Sequence, residues 1–67
     1  MPISVRNQFP GTVKEVKIGK IMAEIIVQVG DNQVTSTITK DAADDLALKV
    51  DDKVTVLVKS TSVMILK

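Results

Sequence analysis

Two groups of hydrogen-bond donors stand near opposite ends of the chain. Ser4 and Arg6 are two positions apart, so an extended strand directs both side chains to one face, with Val5 on the other. A second donor group, residues 59–61, contains Lys59 and Ser60 and follows a run of alternating apolar residues. Because Arg and Lys offer only donors and stay positively charged at neutral pH, these groups together suit a small oxyanion.

A fifth donor, Thr39, stands where the sequence predicts the start of a helix, and free backbone N–H groups at such a start attract anions. A pocket that contains only donors disfavours phosphate, because its O–H needs an acceptor, and favours a fully deprotonated oxyanion. Surface charges and turn-forming hydroxyls would give the same pattern. Pattern alone therefore leaves the anion site open; its candidate residues are Ser4, Arg6, Thr39, Lys59 and Ser60.

Catalysis is not expected from this set of residues. The chain has no His and no Cys, so neither an imidazole base nor a thiolate nucleophile can form. The acidic residues cluster at predicted helix-start and turn positions, and their spacing does not match a calcium loop: Asp41, Asp44, Asp45, Asp51 and Asp52. We expect no enzyme activity and no metal ion ligated directly by side chains.

The amino-acid composition narrows the remaining classes of function. The single aromatic residue and the net charge of +1 offer little to nucleic acid, which needs stacking rings or a strong positive field. Neither a membrane span nor a signal peptide is visible, so a cytoplasmic protein is expected. With 45% apolar residues and only 67 positions, one small domain at residues 1–67 leaves apolar surface to cover, which favours a homo-oligomer.

Alternation of apolar and polar residues predicts five strands and one short helix. Turn signals bound the strands, and residues 9–11, with a Pro and a Gly, predict an edge, bulge or bend within the first. The helix covers residues 39–46, with Thr39 or Asp41 as its cap. The predicted strands are 6–18, 21–29, 33–39, 53–59 and 63–66.

Face assignments follow from the same alternation. In the second strand we expect one apolar face made by Ile21, Ala23, Ile25, Val27 and Val29. Five strands with a helix between the third and the fourth is the order of a small all-β barrel of the oligonucleotide/oligosaccharide-binding (OB) type. An SH3-like barrel is the competing architecture, because strand order alone does not exclude it.

The two donor-bearing stretches resemble those of a known family. Residues 3–8, followed by Gly11, resemble the opening of the molbindins, the small molybdate-binding proteins, and residues 58–65 resemble their ending. Residues 35–39 match as well, so the resemblance covers essentially the whole chain. It implies an OB-type barrel that assembles as a hexamer, a trimer of dimers, and binds molybdate or tungstate at subunit interfaces without an organic cofactor.

Carried over residue by residue, the resemblance assigns oxyanion contact to the same five positions: Ser4, Arg6, Thr39, Lys59 and Ser60. The implied role is intracellular storage, buffering or homeostasis of molybdenum. Val5 stands where the family has Ala, residues 9–10 replace Leu-Lys, and Ala42 replaces a Ser of some relatives. These departures leave Arg6 and Lys59 in place. The alternatives are a structural oligomerisation domain and a nucleic-acid-binding OB-type module.

Overall fold

The computed structural model describes residues 4–67, and Ile3, whose side chain the sequence places beside that of Val5, lies outside the described residues. Four strands and one short helix follow one another along the chain. They are β1 (Asn7–Ile18), β2 (Met22–Val29), β3 (Asn32–Thr39), α1 (Lys40–Asp45) and β4 (Lys53–Val58), and a single 3-10 turn covers Ser60–Ser62.

The strands form one antiparallel sheet in the order β3-β2-β1-β4. The long strand β1 pairs with two strands: its first half pairs with β4 and its second half pairs with β2. β3 and β4, as the outer strands, each pair on one side only within the described residues. This all-β, OB-type architecture, with its helix between the third and fourth strands, is the fold class that the sequence predicts.

Pro10 lies within the continuous strand β1, and of the edge, bulge or bend predicted at residues 9–11 the structure has the edge. The residue pairs with Thr55 of β4, and the β1–β2 ladder begins only at Thr12. At Pro10, β1 therefore has a neighbour on one side only, where a missing N–H is tolerated. The irregularity lies further along, between Val13 and Glu15, where the register shifts. A bulge there explains why the apolar alternation of β1 is imperfect.

The core is small and comes mainly from β2. Ala23, Ile25 and Val27 are buried on one face of that strand, and Val13 of β1 and one helical alanine complete the cluster. Ile21, predicted on the same face, is 76% exposed, because β2 begins one residue later and Ile21 belongs to the preceding turn. The alternation in β3 and β4 follows the prediction, with half-buried residues at every second position.

The tight turn between β2 and β3 agrees with the hairpin signal at residues 30–32. Val29 pairs with Asn32, which leaves a two-residue loop, and Gly30 has a φ of 57°. A positive φ at this position suits glycine, which has no Cβ to clash with the backbone.

The fifth predicted strand, residues 63–66, is wrong for this structure, where no strand follows β4 within residues 59–67. A 3-10 turn forms instead, closed by Ser62 N–H donating to the Lys59 carbonyl at 2.9 Å and by Val63 N–H donating to the Ser60 carbonyl. After this turn, the chain runs on beyond the end of the β1–β4 ladder without joining the sheet.

Candidate functional site

The two donor groups of the sequence meet in one open cleft of about 280 Å³. It lies beyond the end of the β1–β4 ladder, whose last pair is Asn7 with Val58. The residues just before β1 and just after β4 are therefore held side by side. The cleft is lined by Ser4, Val5, Arg6, Lys59, Ser60 and Thr61.

Local backbone contacts shape both walls of this cleft. On the first wall, Gln8 Nε2 donates to the Val5 carbonyl at 2.8 Å. Ser4 and Arg6 are exposed and Val5 is half-buried, which agrees with the predicted alternation of faces. On the second wall, Lys59 precedes the 3-10 turn with an extended backbone (φ −63°, ψ 139°). The donors thus stand toward solvent, where a ligand can reach them.

The lining of the cleft contains two positive charges and no carboxylate. The ion pairs found among residues 4–67 involve other lysines, namely Lys17 with Glu15 and Glu24, and Lys40 with Asp44. Neither Arg6 nor Lys59 takes part in an ion pair within that part of the chain. Their charges are thus available to an anion rather than compensated by a neighbouring acid.

Thr39 does not line the cleft. It pairs with Met22 at the end of β3, and the neighbouring β2 residue Ala23 pairs with Ile18, the last residue of β1. Thr39 therefore belongs to the end of the sheet opposite to Asn7. Its Oγ1 accepts the Ala42 N–H at 3.1 Å and caps α1, yet its own O–H remains free to donate.

The helix that Thr39 caps carries one further polar contact. Lys40 Nζ donates to Asp44 Oδ2 at 2.9 Å, one turn along α1. This hydrogen bond, with the charge of the same carboxylate, raises the pKa of the Lys40 ammonium above its ordinary value. The pair stabilises the protonated lysine at the surface and does not reach the cleft.

Two lining residues are additional to the five predicted candidates. Thr61 belongs to the donor stretch recognised in the sequence, and Val5 supplies an apolar wall beside Arg6. The Phe-Pro pair at residues 9–10 is not part of this lining. Pro10 instead borders a separate cleft further along the β1–β4 ladder, where Lys53 Nζ donates to Thr12 Oγ1 at 2.9 Å.

The acidic residues of α1 and the loop after it do not gather into a ligand set. No group of three or more acidic, His or Cys side chains comes together in residues 4–67. In the same region, no helix is both long and apolar enough to cross a membrane. Asp52 Oδ2 accepts the Lys49 N–H at 3.0 Å, which is a contact within a turn.

The fold and the cleft together define a small OB-type domain with a positively charged polar cleft at one end of its sheet. The TOBE-domain family matches residues 3–65, nearly the whole chain. The chain belongs to this family. Within it, the chain is a molbindin, one of the small proteins that residues 3–8 and 58–65 resemble.

The individual relatives agree in length, sequence and structure. Molybdenum-pterin-binding protein 3 of Clostridium pasteurianum is 45% identical over 67 residues, which is 98% of each chain. A molybdate binding protein from Sporomusa ovata superposes with a TM-score of 0.96 at 43% identity and full coverage of both chains. The cytoplasmic molybdate-binding protein ModG, in a form with molybdate bound, has a TM-score of 0.89 at 31% identity; the match covers 96% of this chain and 46% of ModG.

Proposed function

We propose that this protein binds molybdate or tungstate as an intact tetrahedral oxyanion and serves the storage, buffering or homeostasis of molybdenum. The observation that carries the proposal is the carboxylate-free cleft in which Arg6 and Lys59, from opposite ends of the chain, lie together. The relatives support the proposal, because their names describe proteins that bind molybdenum-pterin or molybdate. No organic cofactor and no side-chain metal ligand is part of the proposal.

The donors of the cleft match the needs of a doubly charged oxyanion. Arg6 contributes up to five N–H donors, Lys59 contributes three, and the hydroxyls of Ser4 and Ser60 contribute one each. Charge-assisted bonds from Arg and Lys are the stronger members of such a set. Because the lining holds no carboxylate acceptor, a protonated oxyanion would leave its O–H without a charged partner. The site therefore favours ligands that are fully deprotonated at neutral pH.

The position of Thr39 supports a proposed site that is shared between two copies of the chain. Thr39 lies at the end of the sheet opposite to the cleft, so its hydroxyl cannot reach an anion held by Arg6 of the same molecule. A second copy that presents its own Thr39 to the cleft would complete the predicted set of five donors. We propose a hexamer built as a trimer of dimers, in which such interfaces repeat.

Binding without catalysis is the proposed activity, and the cytoplasm is the proposed compartment. The relative ModG is described as cytoplasmic and molybdate-binding. A nucleic-acid-binding module is not proposed, because the sequence has one aromatic residue and a net charge of +1. A purely structural oligomerisation domain would have no use for uncompensated charges in a shared cleft.

Native mass spectrometry of the purified protein tests the proposal directly. Spectra are recorded without ligand, with molybdate, and with sulfate at the same concentration. We expect a hexamer that gains several molybdate masses, and gains none from sulfate because the smaller anion does not span the donors. An oligomer that takes up no molybdate, or that takes up both anions equally, would contradict the proposed selective binding.

A further inference from the structure

The start of α1 is fixed to the end of the sheet by two consecutive residues. Thr39 pairs with Met22 of β2, and the Lys40 N–H donates to the Ile21 carbonyl at 2.7 Å. One side of the helix packs on the core through the buried Ala43. The Thr39 hydroxyl and the Lys40 side chain are therefore carried on one anchored piece of backbone.

The acidic partner of Lys40 is Asp44, one turn further along α1. Lys40 Nζ lies 2.9 Å from Asp44 Oδ2, and the two side chains are 41% and 57% exposed, so water screens the attraction between the charges. On a helix, an acid that precedes its base by four residues is the more favourable order, and here the base comes first. The contact is therefore one that a competing anion can replace.

The Lys40 ammonium keeps its charge at neutral pH. The hydrogen bond to Asp44 and the charge of that carboxylate raise the pKa of Lys40 above its ordinary value, and the Asp41 carboxylate acts in the same direction. Lys40 is thus a full cation directly after Thr39, the residue whose hydroxyl we propose as a donor to the cleft of a second copy.

The stem of Lys40 is long enough to reach past Thr39. Four residues of helix rise about 6 Å along the axis, at ~1.5 Å per residue, and Lys40 Nζ crosses this distance to Asp44. The Cα–Cβ bond of a helical residue tilts toward the helix N-terminus, so a released side chain extends toward Thr39. Consecutive Cα atoms are only about 3.8 Å apart. An oxyanion bonded to the Thr39 hydroxyl is thus within range of the Lys40 ammonium.

We propose that Lys40 is a further donor to the shared oxyanion site, and that its ammonium moves from Asp44 to the bound anion. This inference rests on the proposed function, in which a second copy presents its Thr39 to the cleft. Arg6 and Lys59 of one copy and Lys40 of the other then surround one doubly charged anion. Asp44 is a positioning residue, which holds the ammonium until an anion arrives.

The pairing with Asp44 explains how a third cation can stand beside the cleft when no anion is bound. The lining of the cleft holds two positive charges and no carboxylate, so an uncompensated third charge would add repulsion between the copies. Asp44 compensates that charge from the same copy as Lys40. Anion binding then replaces one ion pair with another, and the empty assembly avoids the repulsion.

A double-mutant cycle on Lys40 and Asp44 tests the exchange, with molybdate affinity measured by isothermal titration calorimetry. Lys40→Met keeps an unbranched stem without the ammonium, and we expect it to bind molybdate about 5-fold or more weakly, because a charge-assisted contact is lost. Asp44→Asn releases the ammonium in advance, and we expect it to bind about 3-fold or more tightly. The double variant should match Lys40→Met, because Asp44 acts only through Lys40.

Two matched controls separate this contact from general charge effects. Asp45→Asn removes the neighbouring carboxylate, which forms no ion pair within residues 4–67, and Lys49→Met removes an exposed ammonium from the loop after α1. Each should change the molybdate affinity by about 2-fold at most, because salt screens exposed charges. If Asp44→Asn tightens binding equally with and without Lys40, the carboxylate acts through its own charge and the exchange is wrong.

Nuclear magnetic resonance of protein with 13C-labelled lysine observes the exchange directly. The Cε signal of Lys40, assigned by its absence from Lys40→Met, should shift when molybdate is added to the assembled protein. The signal of Lys17, which pairs with Glu15 and Glu24 on the sheet, should stay in place. An unchanged Lys40 signal in a protein that binds molybdate would overturn the role of Lys40.

The same measurements keep the two proposals apart. If the unmodified protein and Lys40→Met bind molybdate equally well, the role of Lys40 is wrong and the proposed anion binding is supported. If neither protein binds molybdate, both proposals are wrong. Native mass spectra check that each variant keeps the oligomeric state of the unmodified protein, and Lys40→Gln is the second neutral variant if Lys40→Met does not assemble.

Discussion

Asn7 and Val58 form the last pair of the β1–β4 ladder, and this pairing brings the two ends of the chain together. Arg6 stands one residue before that pair and Lys59 one residue after it, so both line the same cleft. Two positive groups held this close repel each other when the cleft is empty. A doubly charged anion between them replaces that repulsion with two charge-assisted contacts, which makes the sheet register itself part of the proposed site.

Replacing the guanidinium removes the strongest donor of the cleft. We expect Arg6→Ala to weaken molybdate binding by about 10- to 100-fold, because a hydrogen bond to a charged group contributes roughly 1.5–3 kcal/mol. Isothermal titration calorimetry measures the change. Lys49→Ala is the matched control, since it removes one positive charge from an exposed loop outside the cleft. Equal affinities in Arg6→Ala and the unmodified protein would remove Arg6 from the site.

A mixture of two inactive variants tests whether the site is shared between copies. Arg6→Ala lacks the cleft donor and Thr39→Val lacks the hydroxyl at the other end of the sheet, so we expect each alone to bind molybdate weakly. Co-folded together, they form mixed pairs in which one interface retains both residues. Native mass spectrometry should then detect molybdate on mixed oligomers and much less on either pure variant.

Thr39→Val also removes the cap of α1, which costs about 1 kcal/mol of stability. Thr39→Ser controls for this effect, because it keeps both the cap and the hydroxyl donor. We expect Thr39→Ser to bind molybdate like the unmodified protein. Mixed oligomers with no more molybdate than the pure variants would mean that Arg6 and Thr39 do not share an anion.

The alternating pattern predicts most of the fold because the energetics of this sheet are local in sequence. Val54 and Val56 on β4, and Val34 and Ile38 on β3, have the half-buried positions that the alternation assigns to them. The tight turn at Gly30 follows from residue types that tolerate a positive φ. Where the alternation within a strand determines which residues are buried, the sequence is sufficient to predict the burial of each residue.

The errors occur where the environment is set by a distant part of the chain. The local pattern also leaves open whether residues 9–11 form an edge, a bulge or a bend, because the edge at Pro10 depends on where the β1–β2 ladder begins. Residues 63–66 have the composition of a strand but pair with none of the four strands of the sheet. The sequence predicts the two donor groups that line the cleft. It does not predict that Thr39 lies away from the cleft, because that depends on the order of all four strands in the sheet.

At Gly11, β1 passes close to β2. A Cβ on this residue would stand 2.7 Å from the Gln28 carbonyl oxygen and 2.7 Å from Val27 Cγ1. Because the carbonyl belongs to the backbone of β2, the strands must separate to admit a methyl group. We expect Gly11→Ala to destabilise the fold by roughly 1–3 kcal/mol, the usual cost of overpacking, measured by urea unfolding.

Gly30→Ala is the companion variant for this measurement, since no atom lies within 4 Å of its added Cβ. Its cost comes from the positive φ of 57° alone, so it should be about 1–2 kcal/mol. The two variants separate steric crowding from backbone strain. If Gly11→Ala unfolds at the same urea concentration as the unmodified protein, the close approach of β1 to β2 is wrong.

Ligand binding at an interface should raise the thermal midpoint of the assembly. At a molybdate concentration 100 times the dissociation constant, linkage adds about 2.7 kcal/mol per site. For a domain of this size, that corresponds to a rise of roughly 10 °C or more in Tm. We expect sulfate at equal concentration to raise Tm much less, and Arg6→Ala to lose most of the molybdate response. Since Arg6 is exposed and outside the core, its loss should leave the ligand-free Tm nearly unchanged. Equal shifts by both anions would instead indicate a general salt effect on the repulsion between Arg6 and Lys59.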